Sequence, residues 1–345
     1  MFKNLIGNDH VKQTLSGLLA NGRVTNSLLF VGDEGVGKRQ FALELAKAFL
    51  CKEPADHQAC GACAACLRAD VFAFPTSDKG EDYERVFFSK HPDVGMVIPF
   101  KRNVRINAVR DLEREANFRP YEAQARFFII DDAEKMNDAS ANALLKTLEE
   151  PPPSTYIFLI TSRPDSLLPT IRSRCQTIRF APVAADEILQ FMVDEKAFTH
   201  DEARLAARLA RGSIGRAVSI NVGQFREQRD RMLGVVSNAI KTGDRAALLR
   251  TSEEMNDAKN KERYEENIDI LESLIHDVWT LTVSGDAARV ANTDVSDELS
   301  KLAEFADKHD LPSWLREIET MRDNFAVNIN RKIAADSLFM TMVNN

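Results

Sequence analysis

The chain has 345 residues, 44% of them hydrophobic and 28% charged, which is the balance of a globular protein with room for two or three cores rather than of a disordered one. A formal net charge of −7 argues against a protein that grips nucleic acid alone, though not against a local basic surface. The opening residues MFKNLIGNDHVKQTL lack the basic stretch and apolar core of a signal peptide, and no apolar run approaches the ~18 residues of a membrane helix, so a cytoplasmic protein is expected. Its five cysteines then point to metal or catalysis before disulfides.

The first strong signal is SLLFVG (27–32), a short continuous apolar run that reads as a strand covered on both faces. It leads into GDEGVGKRQ, where Gly32, Gly37 and Lys38 satisfy G-x-x-x-x-G-K and Gly35 lies within the loop. The helical pattern RQFALELAKAFL follows. Strand, loop and helix in this order aim backbone N–H groups and a helix N-terminus at phosphates, and the lysine adds charge. The next residue should carry the hydroxyl that holds Mg²⁺, but it is Arg39. A phosphate-loop fold follows from this pattern; nucleotide binding is a separate matter.

Cys51, Cys60, Cys63 and Cys66 come next, spaced C-x8-C-x2-C-x2-C. Four thiolates so close in sequence suit tetrahedral Zn²⁺ with no open position, hence a structural site; an iron–sulfur centre and free buried thiols are the alternatives. Cys175, far off in RSRCQ, reads as a small buried residue.

VGMVIPF (94–100) is the second strand signal, followed by KRNVRINAVR and the helical INAVRDLEREANF. Lys101, Arg102, Arg105 and Arg110 offer either phosphate contacts or a solvated face. ARFFIIDD (125–132) is a strand ending in Asp131 and Asp132. In P-loop ATPases the first such carboxylate orients Mg²⁺ and its water, and the second, usually Glu, polarises the attacking water. Asp132 is shorter than Glu by one C–C bond, ~1.5 Å, and an aspartate at a strand-to-helix turn is also an ordinary N-cap.

The helical DASANALLKTLEE is stopped by Pro151, Pro152 and Pro153, and TYIFLITS (155–162) and TIRF (177–180) complete the strand signals. PTIRSRCQTIRF carries Arg172, Arg174 and Arg179, a solvated basic edge or fingers that reach a neighbour's γ-phosphate. Strands alternating with helices predict a doubly wound, parallel α/β sheet. After Pro182 the strand signals stop. AADEILQFMVDEKAF, DEARLAARLARGS and GRAVSI form a small helical module broken by Gly212 and Gly215, in which Arg216 faces either a nucleotide or solvent. From 224 onward the chain reads as longer helices, and Ile268, Leu271, Leu274, Ile275, Val278 and Leu281 make one apolar stripe.

Together these pieces resemble the bacterial clamp-loader subunits of the AAA+ class. The resemblance runs through FKNLIGNDHVKQTLSGLLANGRVTNSLLFVGDEGVGK and the four-cysteine insert. It continues in FFIIDDAEKMNDASANALLKTLEEPPPSTYIFLITS, as Walker B and sensor-1 region, and in LLPTIRSRCQTIRF, with Ser-Arg-Cys at Ser173, Arg174 and Cys175. It covers residues 2–220; the rest matches loosely, as a helical tail. The resemblance implies an AAA+ P-loop α/β domain over 1–181 with a zinc insert at 51–66, a helical lid over 182–223 and a helical oligomerisation collar over 224–345. It also implies a ring with tau/gamma and delta subunits that loads a sliding clamp onto primer–template DNA as part of DNA polymerase III. Arg174 would act there as an in-trans finger.

Arg39 and Asp132 depart from the family's hydrolysing members, and the chain lacks the long extension of tau/gamma. A non-hydrolysing member is therefore expected, with a degenerate ATP or ADP site at Gly32, Gly35, Gly37, Lys38, Arg39, Asp131, Asp132 and Arg216. An active tau/gamma-like ATPase is the competing expectation. A zinc-dependent nucleic-acid binder is a third, against which the acidic charge counts.

Overall fold

The continuous apolar runs become strands because successive side chains enter different helical layers. In the computed structural model, which describes residues 2, 5–195, 198–257, 263–325 and 330–343, six strands form one sheet. They are β1 (Ser27–Val31), β2 (Phe87–Phe88), β3 (Val94–Val97), β4 (Arg126–Ile130), β5 (Thr155–Thr161) and β6 (Gln176–Arg179), in the order β2-β3-β4-β5-β1-β6. From β3 to β6 every pairing is parallel, with Leu29 beside Leu159 and Thr177, and Phe128 beside Ile157 and Gly95. Only β2 is antiparallel, Phe87 facing Met96. A two-residue edge strand has no periodicity to read, and the sequence analysis does not anticipate it.

Leu28, Phe30, Phe127, Ile129, Phe158 and Ile160 point into one core, shared with α1 (Asp9–Ala20), α2 (Lys38–Leu50) and α3 (Ala64–Ala69). Their neighbours Leu29, Val31, Phe128, Ile130, Ile157 and Leu159 enter the other core, shared with α4 (Ile106–Ala116), α5 (Asp138–Glu149) and the short α6 (Pro169–Arg172). With helices on both faces, the inner strands β1, β3, β4 and β5 need no polar side, whereas the edge strand β6 buries only Ile178. This is a doubly wound α/β architecture, parallel from β3 to β6, with a glycine loop between β1 and α2. Its parallel order brings the carboxyl ends of β1, β4 and β5 to one edge of the sheet, where α/β proteins place ligands.

The chain divides into two compact units, Met1–Asp194 with Ala210–Arg216, and Glu195–Leu209 with Ala217–Asn345. α7 (Ala185–Asp194) ends the main segment of the first; the pattern AADEILQFMVDEKAF runs on to positions 196–197, outside the described residues. The second unit is helical: α8 (His200–Leu209), the end of α9 (Ile214–Ser219), α10 (Val222–Lys241), α11 (Arg245–Asn256), α12 (Tyr264–Ser284), α13 (Ser296–Ala303), α14 (Asp310–Phe325) and α15 (Arg331–Thr341). The stripe Ile268, Leu271, Leu274, Ile275, Val278 and Leu281 is buried, with α10, α13 and α14 packed around α12. On the same helix the buried Asp277 carboxylate accepts the backbone N–H groups of Ala291 and Asn292 at 2.8 and 2.9 Å. Among the described residues no helix is long and apolar enough to cross a membrane.

Candidate functional site

β1 runs through residues 32–37 into α2 as the glycine pattern requires. Gly35 and Gly37 have φ of +76° and +98°, a region that a side chain disfavours. At Gly35 a Cβ would also collide with Ser213 Oγ. Lys38 opens α2 and is buried, and its ammonium donates to the carbonyl oxygens of Gly32 and Asp33 at 2.5 and 2.7 Å. The lysine is thus bonded to its own loop. Burial pushes its pKa below the usual lysine value, against the pull of Glu134, Asp131 and Asp132. Residues 213–215, at the start of α9, meet the loop, where the Gly215 N–H donates to the Gly35 carbonyl at 3.0 Å. Arg216, in the first turn of α9, is exposed, and its backbone N–H donates to Ser213 Oγ at 3.1 Å.

Arg39, in the place of the metal-holding hydroxyl, reaches across to the end of β4 and pairs with Asp131 at 3.1 Å. Burial raises the Asp131 carboxyl above the ordinary aspartate range, and the guanidinium partly offsets this. A fixed cation therefore lies on the carboxylate that would orient a metal's water. Asp132 has a left-handed φ of +48° and pairs with Lys135 at 2.7 Å. It stands at the N-cap position of the 3₁₀ turn Ala133–Lys135 but makes no side-chain cap.

Glu134 carries no motif in the sequence, yet its carboxylate accepts the Ser162 N–H and hydroxyl at 3.2 and 2.5 Å just beyond β5. Burial opposes its charge, yet the bonds from Ser162 hold its pKa below the usual glutamate value.

Removing Arg39 leaves Asp131 without its countercharge. Arg39→Ala should cost about 1 kcal/mol, a modest figure because the guanidinium is half exposed. The sign with pH follows from linkage. Losing Arg39 raises the folded Asp131 pKa further above its unfolded value, so native stability falls as pH rises through that window. The deficit in urea unfolding should be larger at pH 8 than at pH 5.

The four cysteines meet beyond α2. Cys51 leaves the helix with extended backbone, and the four Sγ atoms lie within 4.8 Å of one another, with Cys51–Cys63 at 3.9 Å and Cys63–Cys66 at 3.5 Å. Four sulfurs around tetrahedral Zn²⁺ at 2.3 Å would be ~3.8 Å apart, so the donor set fits such a metal with little rearrangement. The N–H groups of Cys60 and Cys63 donate to Cys51 Sγ and Cys60 Sγ at 3.2 and 3.3 Å. Backbone donors bring the Cys63 thiol to about 6, while burial drives Cys66 upward. The cluster can hold a metal such as zinc. Its surroundings anchor it. Buried Lys47 on α2 bonds to Glu44 and, at 2.8 Å, to Asp70 just past α3. Arg68 bonds to Glu122 through both terminal nitrogens, and buried Asp93 accepts the N–H groups of Tyr121, Glu122 and Ala123 at 2.7–2.9 Å.

Of the other arginines, Arg172 pairs with Asp165 at 2.7 Å and Arg179 is exposed on β6. Arg174 donates from Nη1 to the Thr170 carbonyl at 2.9 Å and from Nη2 to Glu149. Cys175 is buried as expected, its thiol pushed up to about 12 by burial. Lys101, Arg102, Arg105 and Arg110 are all exposed, but Arg105 faces Glu84 at 3.8 Å. If this run meets DNA phosphates in an assembly, reversing Arg102 and Arg110 to Glu should weaken binding by the whole complex and reduce the slope of log K against log salt by about 2. A salt titration of complex on primed DNA reads both, and an unchanged slope returns the run to a solvated face.

The family model described as "DNA polymerase III, delta subunit" matches residues 7–184. The chain is 29% identical over 321 residues to DNA polymerase III subunit delta' of Escherichia coli (strain K12), covering 92% of this chain and 89% of that protein. To subunit delta' of Bacillus subtilis (strain 168) it is 28% identical over 277 residues, covering 80% and 78%. Subunit tau of Escherichia coli (strain K12) is 29% identical over 225 residues, 64% of this chain but 32% of tau.

Proposed function

The chain belongs to the DNA polymerase III delta subunit family, and on that premise we propose that it fills the non-hydrolysing, delta-prime place in the clamp loader. Its role is that of a clamp-loader subunit, and it works within a clamp-loader complex. The delta-prime reading over a tau/gamma-like motor is supported by near full-length alignment with delta', against a third of tau. The observation that carries it is the Arg39–Asp131 pair. A Mg²⁺ ion there would lack its hydroxyl ligand and would sit beside a guanidinium. The P-loop then serves as architecture, with Lys38 and the 213–215 segment closing it.

In this reading, 1–181 is the AAA+ domain, 182–223 the lid and 224–345 the collar that assembles with tau/gamma and delta subunits. The four cysteines hold structural zinc, contacts with the sliding clamp and primer–template DNA are made by the assembled ring, and the setting is the cytoplasm. Arg174 approaches the γ-phosphate held by a neighbouring ATPase subunit. The test is to mix the purified chain with tau/gamma and delta subunits. It should enter the complex and show no ATP turnover alone, and Lys38→Ala should leave the complex's ATPase within about twofold of normal. Turnover by the isolated chain, abolished by Lys38→Ala, would establish the motor reading instead.

A further inference from the structure

We infer that Glu149 is an intramolecular competitor for Arg174, engaging the guanidinium as the anionic partner that the neighbour's γ-phosphate must displace. This rests on the finger reading of Arg174 given above. Among the described residues the guanidinium makes two hydrogen bonds. The one from Nη1 goes back to the carbonyl of Thr170 on α6, four residues earlier, at 2.9 Å. The one from Nη2 goes to the carboxylate of Glu149, the last residue of α5. An anion at a helix C-terminus is disfavoured by the peptide dipoles, so Glu149 gains nothing from its own helix, and Arg174 is its cationic partner. After the C-cap residue Glu150, Pro151 and Pro152 prevent α5 from continuing, which keeps Glu149 at the end of its helix.

Carboxylate and phosphate oxygens are recognised by the same planar fork of donors. A guanidinium bonded to Glu149 therefore presents its donors to an anion before any nucleotide arrives, already oriented, but engaged. Reaching a γ-phosphate means exchanging one anionic partner for another. Both side chains are partly exposed, 32% for Arg174 and 48% for Glu149, so the competitor is weak and the exchange easy. Glu149 thus lowers the rate at the neighbouring site modestly and makes that rate sensitive to salt.

The experiment is single-turnover ATP hydrolysis by the reconstituted complex, carrying this chain as wild type, Glu149→Gln, Glu149→Asp, Arg174→Ala or the Glu149→Gln/Arg174→Ala double variant. Glu149→Gln should raise the rate at low salt about 2- to 5-fold, the range of an exposed ion pair. The advantage should fade towards unity as salt screens the pair in the wild type. Glu149→Asp, which keeps the charge but is one methylene too short, should lie between. The double variant should match Arg174→Ala alone. If Arg174→Ala slows hydrolysis and neither Glu149 variant raises it, the finger stands and the role of Glu149 is overturned. If Arg174→Ala has no effect, the finger reading fails and this inference fails with it. A rise in Glu149→Gln that persists at high salt or in the double variant would show that Glu149 acts on something other than Arg174.

Discussion

Replacing Arg174 with Ala should leave the chain folded and the clamp loader assembled, yet slow its DNA- and clamp-stimulated ATPase and the loading of clamps. The side chain is partly exposed and bonded to one carbonyl and one carboxylate, neither in the core, so stability should change by less than about 1 kcal/mol. The effect at the served site is of another order. Arginines that reach a γ-phosphate in trans contribute roughly 10³- to 10⁵-fold by neutralising charge in the transition state. In the role proposed for Arg174 one interface would depend on it, so steady-state turnover of the whole complex should fall by a fraction, whereas pre-steady-state hydrolysis should lose one complete phase. Quench-flow with radiolabelled ATP separates the two. Loss of assembly, or a Lys38→Ala variant more damaged than Arg174→Ala, would contradict the assignment.

Stripping metal from the four-cysteine site, or replacing Cys63 with Ser, should lower the melting temperature of the chain by roughly 5–10 °C, as expected when a few kcal/mol are lost from a unit of this size. The full binding energy of an isolated zinc module should not be lost, because α3 is held independently by Lys47, Asp70 and the Arg68–Glu122 pair. Elemental analysis should find one zinc per chain in the wild type and less in Cys63→Ser. Catalysis by the lone chain should neither appear nor vanish. Stoichiometric iron, or unchanged melting after chelation, would remove zinc from this account.

The parallel core and the cysteine cluster are legible in sequence for a shared reason: their signals are local. Each inner parallel strand is a largely apolar run, and the sulfur ligands fall between Cys51 and Cys66. α1 is equally local, with Val11 and Leu15 one turn apart, but it precedes the loop and carries no chemistry to draw the eye. The site's real interactions are not local. Arg39 and Asp131 are each identifiable as anomalies of a phosphate loop, but their pairing depends on β1 and β4 being placed with β5 between them. The same holds for Glu134 with Ser162, and for Glu149 with Arg174. The loop collapsed onto Lys38 and the 213–215 segment seated on Gly35 are likewise invisible to a motif, because backbone carbonyls leave no mark in the residue letters.

The order of the sheet also sets a timetable for synthesis. β1 is made early, but both its hydrogen-bonding partners are made late: Ser27 pairs with Ile157, and Leu28 with Gln176. At 5–20 residues per second, a ribosome needs roughly 7 to 30 s to close that gap. During that interval Leu28, Leu29, Phe30 and Val31 have emerged with neither edge of their strand covered. Helices and the cysteine insert can form meanwhile, since their contacts are near in sequence, but β1 must wait for the chain to return. The nascent polypeptide should therefore be a chaperone client until β5 and β6 have left the exit tunnel. Ribosome-bound chains truncated before Thr155 should remain protease-sensitive around β1, and chains extended past Arg179 by a tunnel's length should become resistant there.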